Sequence, residues 1–138
     1  MICDTSGLLT ALDTTGHRSQ LGALRVLPDA TDPVVSPLVV AELNYLLRRR
    51  VSTHAAHVVI EELADGAYDV PVFGPPDLQR ALEVDRRFTD LDLGVTNASI
   101  VVLAARYGTS DILTREHHHF RQATPLQGER FRLLPADT

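Results

Sequence analysis

Three acids and one amide, Asp4, Glu42, Glu116 and Asn97, have the types and positions to build a site for cation-dependent chemistry. Asp4 ends the apolar run Met1-Ile2-Cys3 and precedes Thr5-Ser6-Gly7. That reads as a buried strand delivering a carboxylate at its C-terminal end, where open α/β sheets bind ligands. Glu116 lies just past the apolar stretch Ile112-Leu113-Thr114. In a parallel sheet both strand ends share one edge, so Asp4 and Glu116 are expected to be neighbours. Glu42 falls inside the arc of Leu38, Val39, Val40, Leu43, Leu46 and Leu47 when the segment is wound at about 100° per residue. A carboxylate on that core-facing side must be paired, hydrated in a cleft or bound to a cation. A pair with Arg49, seven residues on, or partial exposure through the flexible stem is the purely structural alternative. Asn97 heads the apolar helix that leads into the Glu116 strand. Asp111 begins that strand, and at about 3.3 Å per residue it sits roughly 10 Å away on the opposite edge. It is excluded from the site.

Clustered carboxylates repel unless a cation sits among them. Hard oxygen donors without cysteine select Mg²⁺ or Mn²⁺. Such an ion suits phosphodiester hydrolysis, because it polarises the phosphoryl oxygens, holds a water and stabilises the leaving oxyanion. His117-His118-His119 does not compete for that role: consecutive side chains point different ways, whereas zinc ligands are spaced by several residues. Contact with RNA phosphates or solvent exposure suits them better. Arg48-Arg49-Arg50 reads as a cationic helix C-terminus or as a phosphate-contacting patch.

The elements that position these residues alternate. Strands are expected at Ile2–Asp4, Val34–Ser36, Tyr68–Phe73, Asp111–Thr114 and Phe131–Leu134, with Pro71 pushing the third towards a sheet edge. Helices are expected over Ser6–Leu12, His17–Leu27, Pro37–Arg50 behind a Ser36 cap, Thr53–Ala64, Asp77–Phe88, and Asn97–Tyr107 behind a Thr96 cap. Pro28 to Pro33 is turn chemistry. Ile100 to Ala105 is apolar nearly all round, so that helix belongs at the centre. This is an α/β chain: a three-layer α/β/α sandwich around a mostly parallel sheet, with one domain over residues 1–138.

Composition narrows the function further. The 138 residues are 44% hydrophobic with a formal charge of −5, which argues against a general electrostatic grip on nucleic acid. All 13 basic residues are arginine, so chemistry needing lysine is excluded. Arginine suits phosphate recognition. No apolar run approaches a membrane span and no signal-peptide order opens the chain, so a cytoplasmic protein is expected. Cys3, the lone cysteine, fits a buried small hydrophobe in a reducing compartment.

Four segments then carry a resemblance. Asp4-Thr5-Ser6, Ser36-Pro37-Leu38-Val39-Val40-Ala41-Glu42-Leu43, Leu93 through Ala104, and Ile112-Leu113-Thr114-Arg115-Glu116 through Phe120 together resemble PIN-domain ribonucleases. More narrowly, the chain is similar to the VapC toxins of type II toxin–antitoxin pairs. The resemblance implies an endoribonuclease with four acidic positions around Mg²⁺, a VapB-type antitoxin, an RNA substrate and a homodimer. It maps the four positions onto Asp4, Glu42, Asn97 and Glu116, with metal contact at Asp4, Asn97 and Glu116. Two positions depart from the family's acids. Glu116 keeps the charge on a longer arm. Asn97 deletes a charge and cannot act as a base, so weaker metal binding and slow cleavage are expected, unless Asp90 or Asp92 compensates. A PIN-fold protein that binds RNA or antitoxin without efficient cleavage is therefore the alternative function. A phospho-signalling receiver also starts from an acid after strand one, but it calls on a lysine that this chain lacks.

Overall fold

The computed structural model describes residues 1–13, 33–66 and 68–137. Among the described residues four short strands form one sheet: β1 (Ile2–Cys3), β2 (Val34–Val35), β3 (Asp111–Leu113) and β4 (Arg132–Leu134), in the order β2-β1-β3-β4. Every pairing is parallel, with Ile2 opposite both Val34 and Ile112, and Ile112 opposite Leu133. Between them lie α1 (Thr5–Asp13), α2 (Pro37–Arg50), α3 (Thr53–Ala64), α4 (Pro75–Arg87), α5 (Gly94–Arg106) and α6 (His117–Gln122). The β1-to-β2 connection runs one way across the sheet and the β2-to-β3 connection runs back. Right-handed crossovers in opposite directions put their helices on opposite faces, which yields the α/β/α layers. Among the described residues no helix is long and apolar enough to cross a membrane.

β1 and β2 are apolar and fully buried, and β3 and β4 are apolar and buried past their first residues, Asp111 and Arg132, as a covered parallel sheet requires. Residues Ala98 to Ala104 of α5 are all buried, which follows from their lack of a polar face. Gly7 lets α1 approach the sheet: a Cβ there would stand 2.5 Å from the Leu113 carbonyl oxygen. Phe120 of α6 and Phe131 beside β4 pack edge to face at 6.1 Å, pinning α6 to the sheet. Ser36 caps α2 through Leu38 N–H at 3.2 Å, and its hydroxyl lies 2.8 Å from that of Ser99 on α5.

Several elements differ from their sequence expectation. Tyr68–Phe73 is not a full strand; only Asp69 bridges to Val34. Pro71 lacks an N–H, and α5 side chains hold the segment instead, with Arg106 donating to the Val72 carbonyl at 2.8 Å and Tyr107 to Asp69. α4 begins at Pro75, because proline is tolerated in a first turn and Asp77 accepts the Gly74 N–H at 3.0 Å. α5 begins at Gly94 rather than behind Thr96, because the Asp85 carboxylate of α4 accepts the Gly94 N–H at 3.0 Å. Ser52, not Thr53, caps α3. The helix expected over His17–Leu27, and the turn after it up to Asp32, lie outside the described residues.

Candidate active site

Asp4 sits one residue beyond β1, its N–H still laddered to the Leu113 carbonyl at 2.9 Å. Its side chain is buried, with the residue 4% exposed. Two hydroxyls converge on one carboxylate oxygen: Ser6 Oγ at 2.7 Å and Thr114 Oγ1 at 2.8 Å from Oδ2. Each hydroxyl has a single proton. Ser6 Oγ also accepts the Arg115 N–H at 3.0 Å, and Thr114 Oγ1 accepts the Glu116 N–H at 2.8 Å. Both hydroxyls thus take their amide bonds as acceptors, and both protons go to Asp4. Their own 3.1 Å separation follows from sharing that acceptor. The start of α1 and the end of β3 are in this way tied together through the acid, and the Glu116 backbone is fixed by the same knot.

The electrostatics oppose an unaccompanied charge here. Burial pushes the Asp4 carboxyl above its ordinary value, and the nearby Glu42 charge acts in the same sense. Hydrogen bonds from Ser6, Thr114 and the Thr5 amide work against that rise. All three donors are neutral. Among the described residues no basic side chain pairs with Asp4. Of the carboxylate's roughly four lone-pair positions the two hydroxyls use two, both on Oδ2. Cys3, next in the chain, is inert: burial pushes its thiol up to about 12.

The other sequence candidates are placed less tightly. Glu42 does not face the core, contrary to expectation; it is exposed. The buried seam of α2 is only Val39, Leu43 and Leu47, and Glu42 stands roughly 100° around the helix from Leu43. Its charge still reaches Asp4. Arg49 is not its partner and bonds Tyr45 instead. Asn97 is half-buried in the first turn of α5, and its Nδ2 donates to the Leu93 carbonyl at 3.0 Å. That bond commits one of the two amide protons. Glu116 precedes α6 with its side chain 44% exposed, and Oε1 lies 3.5 Å from His119 Nδ1. Asp111 begins β3, and it pairs with Arg132, Nε to Oδ1 at 2.8 Å. Asp90 and Asp92 are exposed.

Among the described residues, no three Asp, Glu, His or Cys side chains converge closely enough to enclose an ion unaided. The donor set nevertheless fits one kind of ion. Mg²⁺ dehydrates reluctantly and is held by one or two carboxylates plus several waters. Asp4 supplies a buried carboxylate with only neutral partners, and Glu42, Glu116 and the Asn97 oxygen are within the family of hard oxygen donors.

Sequence reasoning overlooked Ser6 and Thr114 as orienting groups. A signal was available: each is a hydroxyl residue two positions from a candidate acid, Ser6 after Asp4 and Thr114 before Glu116, where a lone carboxylate needs donors. Removing such orienting bonds typically costs 10–100-fold in metal affinity or activity. Thr114→Val is therefore expected to lower RNA cleavage by about that factor, measured as initial rates at saturating Mn²⁺ and at limiting Mn²⁺. A variant as fast as the parent under both conditions would remove Thr114 from this role.

The whole chain is similar to known proteins. A family model described as PIN domain matches residues 1–124. The chain is 39% identical over 137 residues to Ribonuclease VapC26 of Mycobacterium tuberculosis (strain ATCC 25618 / H37Rv), covering 98% of this chain and all of that protein. The crystal structure of M. tuberculosis VapC20, a Sarcin-Ricin loop cleaving toxin, superposes with a TM-score of 0.69 at 19% identity, over 84% of this chain and 89% of that one. The latter similarity concerns the fold.

Proposed function

This chain belongs to the PIN-domain family, and from that membership we propose that it is the toxin of a type II toxin–antitoxin pair, an endoribonuclease hydrolysing RNA phosphodiester bonds with Mg²⁺ or Mn²⁺. The observation that carries the reading is Asp4: a buried carboxylate at the ligand-binding edge of the sheet, held by neutral donors and lacking a cationic partner among the described residues.

Asp4, Glu116 and the Asn97 oxygen would hold the cation, directly or through water. When bound, it would polarise the phosphoryl oxygens, acidify a water and stabilise the leaving oxyanion. Ser6 and Thr114 keep Asp4 in one orientation before substrate arrives. Glu42, exposed yet within electrostatic reach of Asp4, is free to orient the attacking water and to accept its proton. Asn97 contributes an oxygen but no charge and no basicity. A VapB-type antitoxin, a homodimeric assembly, a single domain over 1–138 and a cytoplasmic location complete the proposal.

A second reading follows from Asn97 alone. With one charge fewer than the family pattern, the protein would bind RNA or antitoxin and cut poorly. Incubation with labelled RNA tests the main reading. Cleavage is expected with Mg²⁺ or Mn²⁺ and should vanish in EDTA; cleavage persisting in EDTA would sink the metal-dependent mechanism.

A further inference from the structure

The C-terminal half of α2 and the start of α3 carry exposed groups that the acids of the site do not explain: Tyr45, Arg48, Arg49, Arg50, His54 and His57. Arg106, Arg121 and Arg132 each face a carboxylate. Among the described residues Arg48 and Arg49 instead bond only groups without a negative charge. Arg48 donates to Asn44 at 3.2 Å and to His57 Nε2 at 3.3 Å, and Arg49 donates to the Tyr45 hydroxyl at 2.7 Å. Among the described residues none of the three consecutive arginines pairs with an acid. The helix C-terminus offsets only about half a charge. On a chain of formal charge −5, this leaves a concentrated cationic end.

The spacing along α2 connects that end to the site. Glu42, Tyr45 and Arg49 stand at i, i+3 and i+7, on one strip of the helix surface. At about 1.5 Å per residue, Arg49 lies roughly 10 Å along the axis from Glu42. Between them Tyr45 is 54% exposed, and the Arg49 guanidinium carbon sits 5.5 Å from its ring centroid. One strip thus runs from the acid whose charge reaches Asp4, over an exposed aromatic ring, to guanidiniums without counter-charges.

We propose that this strip is a track for single-stranded RNA beside the cut, with a base stacked at Tyr45 and phosphates bound by Arg49 on the strip and by Arg48 and Arg50 flanking it at the helix end. Arginine forks match phosphate oxygens, and exposed rings with guanidinium planes stack unpaired bases. Duplex RNA offers no free base to Tyr45. An acidic peptide would meet the charges and leave the ring without a flat partner. The inference rests on the ribonuclease reading for its substrate, and binding can be measured apart from cleavage.

The test is fluorescence polarisation of a labelled single-stranded RNA in EDTA, across a salt series, with the full chain. Replacing Arg48, Arg49 and Arg50 together by glutamine is expected to flatten the slope of log affinity against log salt by about 2, at roughly 0.7 per phosphate contact. Tyr45→Ala is expected to weaken binding about 5- to 150-fold, the range for one stacked base, and Tyr45→Phe to retain it. Thermal melting and gel filtration of each variant report fold and assembly. Unchanged slope and affinity in folded variants would overturn the track. So would variants that alter only the oligomeric state, which would make the strip a contact between copies. Salt-dependent binding by a parent chain that fails to cut RNA in Mn²⁺ would leave the track standing and remove the ribonuclease reading. Cleavage by a parent whose variants bind equally well would do the reverse.

Discussion

Asp4→Asn is expected to abolish RNA cleavage while leaving the fold at least as stable at neutral pH. The two halves of that result have one cause. Asp4 is buried, and burial holds its carboxyl above the ordinary value of 3.8. Between 3.8 and the raised value the native state binds more protons than the unfolded chain, so stability falls as pH rises through that window. At neutral pH the ionised group is a net cost to the fold in the absence of a cation. Asparagine removes the charge and keeps an oxygen where both the Ser6 and Thr114 hydroxyls converge. Asp111 and Asp137 run the other way, because Arg132 and Arg121 hold them low, Asp137 at about 2. Their stabilisation is present above 3.8 and is lost on acidification, identically in parent and variant. Melting curves without divalent ions should therefore place the variant at or above the parent at pH 7, with the gap closing as pH falls towards 3.8. Adding Mn²⁺ at 100 times its dissociation constant should stabilise the parent by about 2.7 kcal/mol and the variant hardly at all. A variant that gained the same Mn²⁺ stabilisation, or cut RNA at the parental rate, would take the cation away from Asp4.

How far the sequence led to this site depends on whether each signal was local. Asp4 was readable because an apolar strand, an acid and two hydroxyls lie in seven consecutive residues. The Ser36 cap and Pro37 start of α2 were readable for the same reason, and the structure has both. The burial of α5 follows from a segment with no polar face. What failed depended on distant partners. Nothing near Thr96 announces that Asp85, nine residues before Gly94 and on another helix, would cap α5. Nothing within Tyr68–Phe73 announces that Arg106 and Tyr107 would hold it in place of a strand ladder. Six apolar residues on α2 imply a broad buried arc that would include Glu42, whereas an i, i+4, i+8 seam carries the packing and leaves its flank, Glu42 with it, in solvent. The correction matters for the chemistry, since an exposed acid can exchange protons with water where a buried one could not.

Asn97→Asp is expected to raise cation affinity and cleavage together, by about tenfold or more, since each 1.4 kcal/mol of added attraction is a factor of ten. The gain is opposed locally. Asn97 Nδ2 donates to the Leu93 carbonyl at 3.0 Å, and an aspartate has no proton for that bond. Losing it costs about 0.5–1.5 kcal/mol, and a new acid near the C-terminal edge of the sheet adds repulsion to Asp4 and Glu42. The variant should therefore melt lower than the parent in EDTA and gain more from Mn²⁺, so that the two curves approach or cross as the ion is added. That crossing separates a charge effect from a simple packing change, which would shift both conditions alike. If Asn97→Asp and the parent cut RNA at equal rates and take equal stabilisation from Mn²⁺, the missing charge is not what limits this protein. The reading of Asn97 as a weakened ligand then fails, and its bond to Leu93 remains as a first-turn fastening of α5.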